Sequence, residues 1–231
     1  MVHQAVRFTD SFIAWESWNL TEYEHRKQLV CEFKKNLSST SGELESVIDY
    51  HINQSEALVA TRVMPGPTGE INELYMAGRG VTLIIHDDDS VESCNAVLAM
   101  LTTALLAGNS VMLCSDNRDI TSMINKATNK ARLPADVVLT GTYDSHHTLL
   151  SEDIRCVCFV GDREPELQIN RNLAKKKGAI VSFISETDFL SFDTILDPYL
   201  YLRFITERTR TINITAIGGN ASLLELGSDG H

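Results

Sequence analysis

The stretch from Arg79 to Asn117, RGVTLIIHDDDSVESCNAVLAMLTTALLAGNSVMLCSDN, is the one whose reading decides the fold. Val81–His86 is a short apolar run rich in β-branched residues and closed by three aspartates, which predicts a buried strand. Val91–Leu106 is apolar, helix-compatible sequence, and Gly108-Asn109 ends it as a helix C-terminus should. Ser110–Cys114 is a second run of strand length. Strand, helix and strand in this span make one βαβ unit, which requires a parallel sheet and a right-handed crossover. The expected fold class is therefore α/β: a Rossmann-like, mostly parallel sheet of about five strands with helices on both faces.

Working outward, the segment before this unit reads as a helical preface. Asp10 and Ser11 are candidate caps of a first helix carrying Phe12, Trp15 and Trp18. Thr21 and Glu24 form a capping-box pattern that opens a second helix through about Leu37. Glu43–Ser55 predicts a third. Met64–Glu70 is a Pro/Gly turn segment, and Ile71–Met76 is short and extended, in the manner of an edge strand. Beyond the core unit, Asp119 is a candidate cap for a helix to about Ala131, and Val137–Leu139, Ile154–Val160 and Ala179–Ile184 are strands. A helix around Leu167–Ala174 is ended by Gly178, and Pro198 opens another through about Glu207. Thr209–Thr215 and Ser222–Leu226, around the turn Gly218-Gly219-Asn220, predict a C-terminal β-hairpin or flap. The expected division is 1–63 helical, 64–206 core and 207–231 flap.

Composition excludes several classes. Thirty-one acidic against 20 basic residues give a net charge of −11, and no basic run exceeds Lys175–Lys177, so nucleic acid is not an expected partner. No apolar run is long enough for a membrane span, and no signal-peptide pattern opens the chain. Cys31, Cys94, Cys114, Cys156 and Cys158 are odd in number, lack zinc spacing and fall mostly in apolar runs, which predicts buried, reduced thiols and a cytoplasmic protein. Met1 is the start expected of a complete chain, and the sequence leaves open whether it is a piece of a longer one.

The order of motifs resembles the nucleotide-binding half of the aldehyde dehydrogenase fold. The residues that carry the resemblance are Ala14-Trp15 with Glu24-His25-Arg26, Arg79-Gly80-Val81, Leu106–Val111, Arg132-Leu133-Pro134, Phe159-Val160-Gly161 and Arg210–Asn213 with Gly218-Gly219. A narrower similarity joins Pro65–Leu74, Phe159–Asp162 and Glu207–Gly227 to the C-terminal domain of long proline utilization A proteins, which unite proline dehydrogenase with pyrroline-5-carboxylate dehydrogenase. That domain looks like an aldehyde dehydrogenase without its catalytic domain. The resemblance implies a C-terminal association flap, and a partner that is a second copy or an aldehyde dehydrogenase of proline catabolism.

Departures from the active family shape the functional reading. The Gly-Gln-x-Cys context of the catalytic thiol is missing, and buried thiols are poor nucleophiles. No catalytic residue is assigned. Gly161 is followed by Asp162, Arg163, Glu164, Pro165 and Glu166 with no second glycine, which removes an amide donor and sets carboxylates where a pyrophosphate would lie. Gly161 is thus a weak cofactor-binding candidate, and no NAD is expected. His86 with Asp87-Asp88-Asp89 is read as a solvated acidic loop rather than a metal site, and His146-His147 as a surface turn. The association candidates are Ile212, Asn213, Ile214, Gly218, Gly219 and Asn220, because a lone hairpin is marginal in water and its apolar residues need a partner. The leading reading is a non-catalytic association domain in proline catabolism. An NAD-dependent pyrroline-5-carboxylate dehydrogenase-related oxidoreductase and a small-molecule sensor are the rivals.

Overall fold

The computed structural model describes residues 7–37 and 42–214. Three helices come first: α1 (Phe8–Asn19), α2 (Tyr23–Lys35) and α3 (Gly42–Leu58). The predicted core unit follows as β3 (Val81–Asp87), α4 (Val91–Leu106) and β4 (Ser110–Cys114). Next are α5 (Arg118–Ala131), β5 (Val138–Gly141), α6 (Ser145–Leu149), β6 (Cys156–Gly161), α7 (Arg163–Ala174) and β7 (Ser182–Glu186). The five strands β3 to β7 are all parallel in the order β5-β4-β3-β6-β7, the doubly wound arrangement.

Burial on both faces explains the continuous apolar runs of the central strands. Ile84, Val111, Leu113, Cys156, Cys158 and Val160 face the cluster built with α2, α3, α4 and α5. Leu83, Ile85, Met112, Cys114, Val157 and Phe159 alternate to the other face, against Leu149 of α6, Ile169 of α7 and the Phe8 and Phe12 rings of α1. Among the described residues no helix is long and apolar enough to cross a membrane.

The C-terminus of α4 joins several layers. Gly108 takes φ +87°, its N–H donating to Leu105 O and that of Asn109 to Ala104 O, a Schellman closure. The Asn109 amide then donates to Ala104 O and Phe204 O and accepts from Gly80 N–H. Arg26 of α2, buried, donates to Leu106 O, placing a cation on the last turn of α4.

Several expectations are corrected. The capping box does not form: α2 starts after Glu22, and the Thr21 hydroxyl donates back to Ser17 O. Asp10 and Ser11 lie inside α1, where Ser11 Oγ is buried against Ser110 Oγ at 2.9 Å. Asn117, not Asp119, caps α5, accepting from Asp119 N–H and Ile120 N–H at 3.1 Å each. The helix expected through Glu207 is one turn, α8 (Leu200–Arg203), because β8 (Ile205–Asn213) begins two residues later. β8 pairs over nine residues with β2 (Glu70–Gly78), and β1 (Arg62–Met64) pairs with the other side of β2. β2 is therefore the centre of a three-stranded antiparallel sheet, not an edge. Ser222–Leu226, the strand expected to pair with this one, lies outside the described residues.

Candidate functional site

Parallel α/β sheets place ligands beyond the carboxyl ends of their strands, at the point where strand order reverses. Here that point lies between β3 and β6. A cleft of about 210 Å³ opens beside it, lined by His86, Asp87, Asp88, Asp89, Ser115, Asp116, Asn117 and Tyr143. His86 is buried between two hydroxyls, Nδ1 at 2.9 Å from Ser115 Oγ and Nε2 at 3.0 Å from Ser93 Oγ. Burial lowers its pKa against the opposing pull of the nearby aspartates, so it is held as the neutral imidazole. Burial would raise Asp88, yet hydrogen bonds from the Ser90 hydroxyl and amide leave its carboxyl below the ordinary value. Burial, with Asp87 alongside, pushes the Tyr143 phenol up to about 12.

These acids are engaged with the neighbouring loops. Asp89 accepts from Asn117 Nδ2 at 3.0 Å, and Asp116 accepts from Tyr143 N–H at 3.1 Å. Among the described residues no three His, Cys, Asp or Glu side chains converge as a metal cage would require. The geometry gives Gly161 a packing reason for being glycine. Its φ is +156°, and an added Cβ would sit 2.9 Å from Phe159 Cζ and 3.0 Å from Asp87 O. The first turn of α7 behind it carries Glu164, Pro165 and Glu166.

Two residues were misread or missed. His146 is buried, not on a surface turn; its Nδ1 lies 2.6 Å from Tyr143 O and its ring packs edge-on to Tyr143. Glu186, at the carboxyl end of β7, is buried and accepts N–H bonds from Thr194 (2.9 Å), Ile195 (3.2 Å) and Asp188 (3.3 Å). Burial raises its pKa while those amides oppose the rise. The sequence signal was an acid directly after an apolar strand; its partners, up to nine residues downstream, carried no signal.

Three of the five thiols, those of Cys114, Cys156 and Cys158, are buried as expected. Burial pushes Cys114 up to about 12 and raises Cys158, which lies beside Cys156. Cys31 and Cys94 are half-buried.

The second feature is the β1-β2-β8 sheet. In register, Ile212 faces Ile71, Arg210 faces Glu73 and Arg208 faces Tyr75. Arg210 donates to Glu73 and lies 5.4 Å from the Tyr75 ring centroid. Val63, Ile212 and Ile214 are exposed. Of the expected association residues, Ile212, Asn213 and Ile214 come together on this ribbon, whereas Gly218, Gly219 and Asn220 lie outside the described residues.

Similarity to known proteins follows this geometry. The bifunctional protein PutA of Salmonella typhimurium is 31% identical over 168 residues, 72% of this chain and 11% of the relative. PutA of Rhizobium meliloti is 25% identical over 88% of this chain and 15% of its own length. A solved proline utilization A of Bradyrhizobium japonicum superposes with a TM-score of 0.63 at 28% identity, covering 80% of this chain and 22% of that one. This chain is an aldehyde-dehydrogenase-like domain close to proline utilization A. It spans about a ninth of the length of the Salmonella relative. A solved 3,6-anhydro-L-galactose dehydrogenase, 16% identical with a TM-score of 0.59, shares the fold. No family model matches the sequence.

Proposed function

We propose that this domain has a structural, associating role in proline catabolism and performs no oxidoreductase chemistry of its own. The observation that carries the reading is the β2–β8 ribbon, whose residues from Glu207 to Asn213 are exposed beyond the point where the core stops covering them. A small sheet in water needs a further surface for its apolar side chains, and β8, which among the described residues pairs with β2 alone, is a strand to which a partner's strand could be added. Exposed Val63, Ile212 and Ile214 mark where a partner would gain most. The carboxyl-end crevice supports the non-catalytic half of the reading. Its aspartates repel a phosphate pair, Gly161 is accounted for by packing, and Cys114 and Cys158 are buried with raised pKa values. The likeness to proline utilization A supports the biological setting, with the partner a second copy or an aldehyde dehydrogenase of that pathway.

Sedimentation velocity tests this directly, on the protein alone and mixed with a separately produced pyrroline-5-carboxylate dehydrogenase. An assembly larger than the 25.7 kDa monomer is expected in one of the two samples. The Ile212→Lys, Ile214→Lys double variant should weaken it at least about tenfold without loss of helical circular dichroism. A monomer in both samples, or undiminished assembly by the variant, defeats the proposal.

A further inference from the structure

At the amino end of the parallel sheet, opposite to the acidic cleft, lies a groove of about 400 Å³ between α1, the start of β3 and the base of β8. Three arginines line it, Arg79, Arg155 and Arg208, against one carboxylate, Asp153. Such a concentration of positive charge runs counter to a chain of net charge −11. Arg155 is partly committed, its Nη2 donating to Asp153 at 2.9 Å. Arg79 donates through Nε to Arg203 O at 2.8 Å, which leaves its terminal nitrogens uncommitted among the described residues. The Arg208 guanidinium makes no hydrogen bond or ion pair among the described residues. Trp15 also lines the groove; its Nε1 is shielded from solvent and has no acceptor among the described residues. Its ring is packed on Phe12, with centroids 5.4 Å apart.

We propose that this groove binds a small dicarboxylate anion. The planar fork of a guanidinium matches a carboxylate with two parallel hydrogen bonds, and two uncommitted forks suit a ligand with two such groups. The Phe12 and Trp15 rings give its short carbon chain an apolar wall. The volume is that of a small-molecule site. Glycine at position 80 keeps the floor low: an added Cβ would press to 3.3 Å from Cγ of Arg155. The inference does not depend on the association reading.

The test is a titration of the full chain with succinate, followed by calorimetry and by tryptophan fluorescence. Of the two tryptophans, Trp18 is buried with its N–H on Leu105 O, so a fluorescence change reports Trp15. Saturable binding is expected, with no response to the neutral succinamide. Arg208→Gln, at an exposed position, should weaken binding about tenfold or more. Absence of saturation up to about 10 mM succinate overturns the proposal, as does an equal response to sulfate at matched ionic strength. Undiminished affinity in Arg208→Gln overturns it as well.

Discussion

Alanine at position 161 separates two explanations of a glycine at a dinucleotide-fold turn. If the glycine exists so that a pyrophosphate can approach the backbone, its replacement affects ligand binding and leaves stability largely alone. The structure gives the opposite account. At φ +156° the backbone is in territory that L side chains rarely adopt, and holding one there costs about 1–3 kcal/mol. The new methyl would also lie 2.9 Å from Cζ, the tip of the Phe159 ring, and 3.0 Å from the backbone oxygen of Asp87. Phe159 is fully buried and Asp87 O belongs to the paired end of β3, so relief requires overpacking of about 1–3 kcal/mol. Gly161→Ala should therefore lose about 2–6 kcal/mol of unfolding free energy in urea, a fall in melting temperature of roughly 4–24 °C for a chain of this size. Gly178→Ala is the control, since φ there is +105° but nothing lies within 4 Å of the added Cβ. Backbone strain alone should cost it about 1–2 kcal/mol. A loss below about 0.5 kcal/mol for Gly161→Ala refutes the packing account.

Two further outcomes follow from the buried titratable groups. Burial lowers the pKa of His51 and of His86 from 6.5, so the native state binds their protons less readily than the unfolded chain does. Their contribution to stability is then complete above about pH 6.5 and lost as pH falls through the native values, by at most about 1.4 kcal/mol per pH unit for each imidazole. Urea titrations at pH 7.5, 6.5 and 5.5 should show falling stability, and a flat or rising series contradicts the buried neutral state. Cys114, Cys156 and Cys158 should resist Ellman's reagent in the native protein at pH 8 and react upon unfolding, with any native reaction confined to half-buried Cys31 and Cys94. More than two thiols reacting natively defeats that expectation.

The parts of the fold that were legible in the sequence are those fixed by local pattern and by burial on both faces. Val91–Leu106 and Ser110–Cys114 were bounded to the residue, because a Schellman glycine and a short apolar run closed by polar Ser115-Asp116-Asn117 leave little choice. What was not legible depended on partners far along the chain. Ile71–Met76 looked like an edge because its second neighbour, β8, lies more than 130 residues away. The segment after Pro198 has the apolar content of a helix, with Leu200, Tyr201, Phe204 and Ile205 all buried. Asn109 binds Phe204 O, however, and the ladder to β2 begins at Ile205, so the helix stops after one turn. Thr21 and Glu24 satisfy the capping pattern, but the Thr21 hydroxyl is taken by Ser17 O.

The acidic crevice shows the same division between chemistry and partnership. That aspartates crowd the carboxyl ends of the strands could be read directly from Asp87–Asp89 and Asp116, and it argued against a phosphate ligand. Where those carboxylates spend their hydrogen bonds could not be read. Asp88 closes on Ser90, Asp89 on Asn117, Asp116 on the Tyr143 amide, and Glu186 on the amides of Thr194 and Ile195. In a nucleotide site the backbone amides at strand ends are held open for phosphate oxygens. Here the carboxylates of Asp88, Asp116 and Glu186 occupy backbone amides of the loops beyond these strands, that of Asp116 across from one loop to another, and the Asp89 carboxylate takes the Asn117 side-chain amide of the neighbouring loop. A phosphate would have to displace acceptors that are already in place and already negative, which costs far more than filling an open nest. The loops at this end of the sheet are thus bonded to one another and to themselves, and Arg208, Arg79 and Trp15 line the groove at the other end.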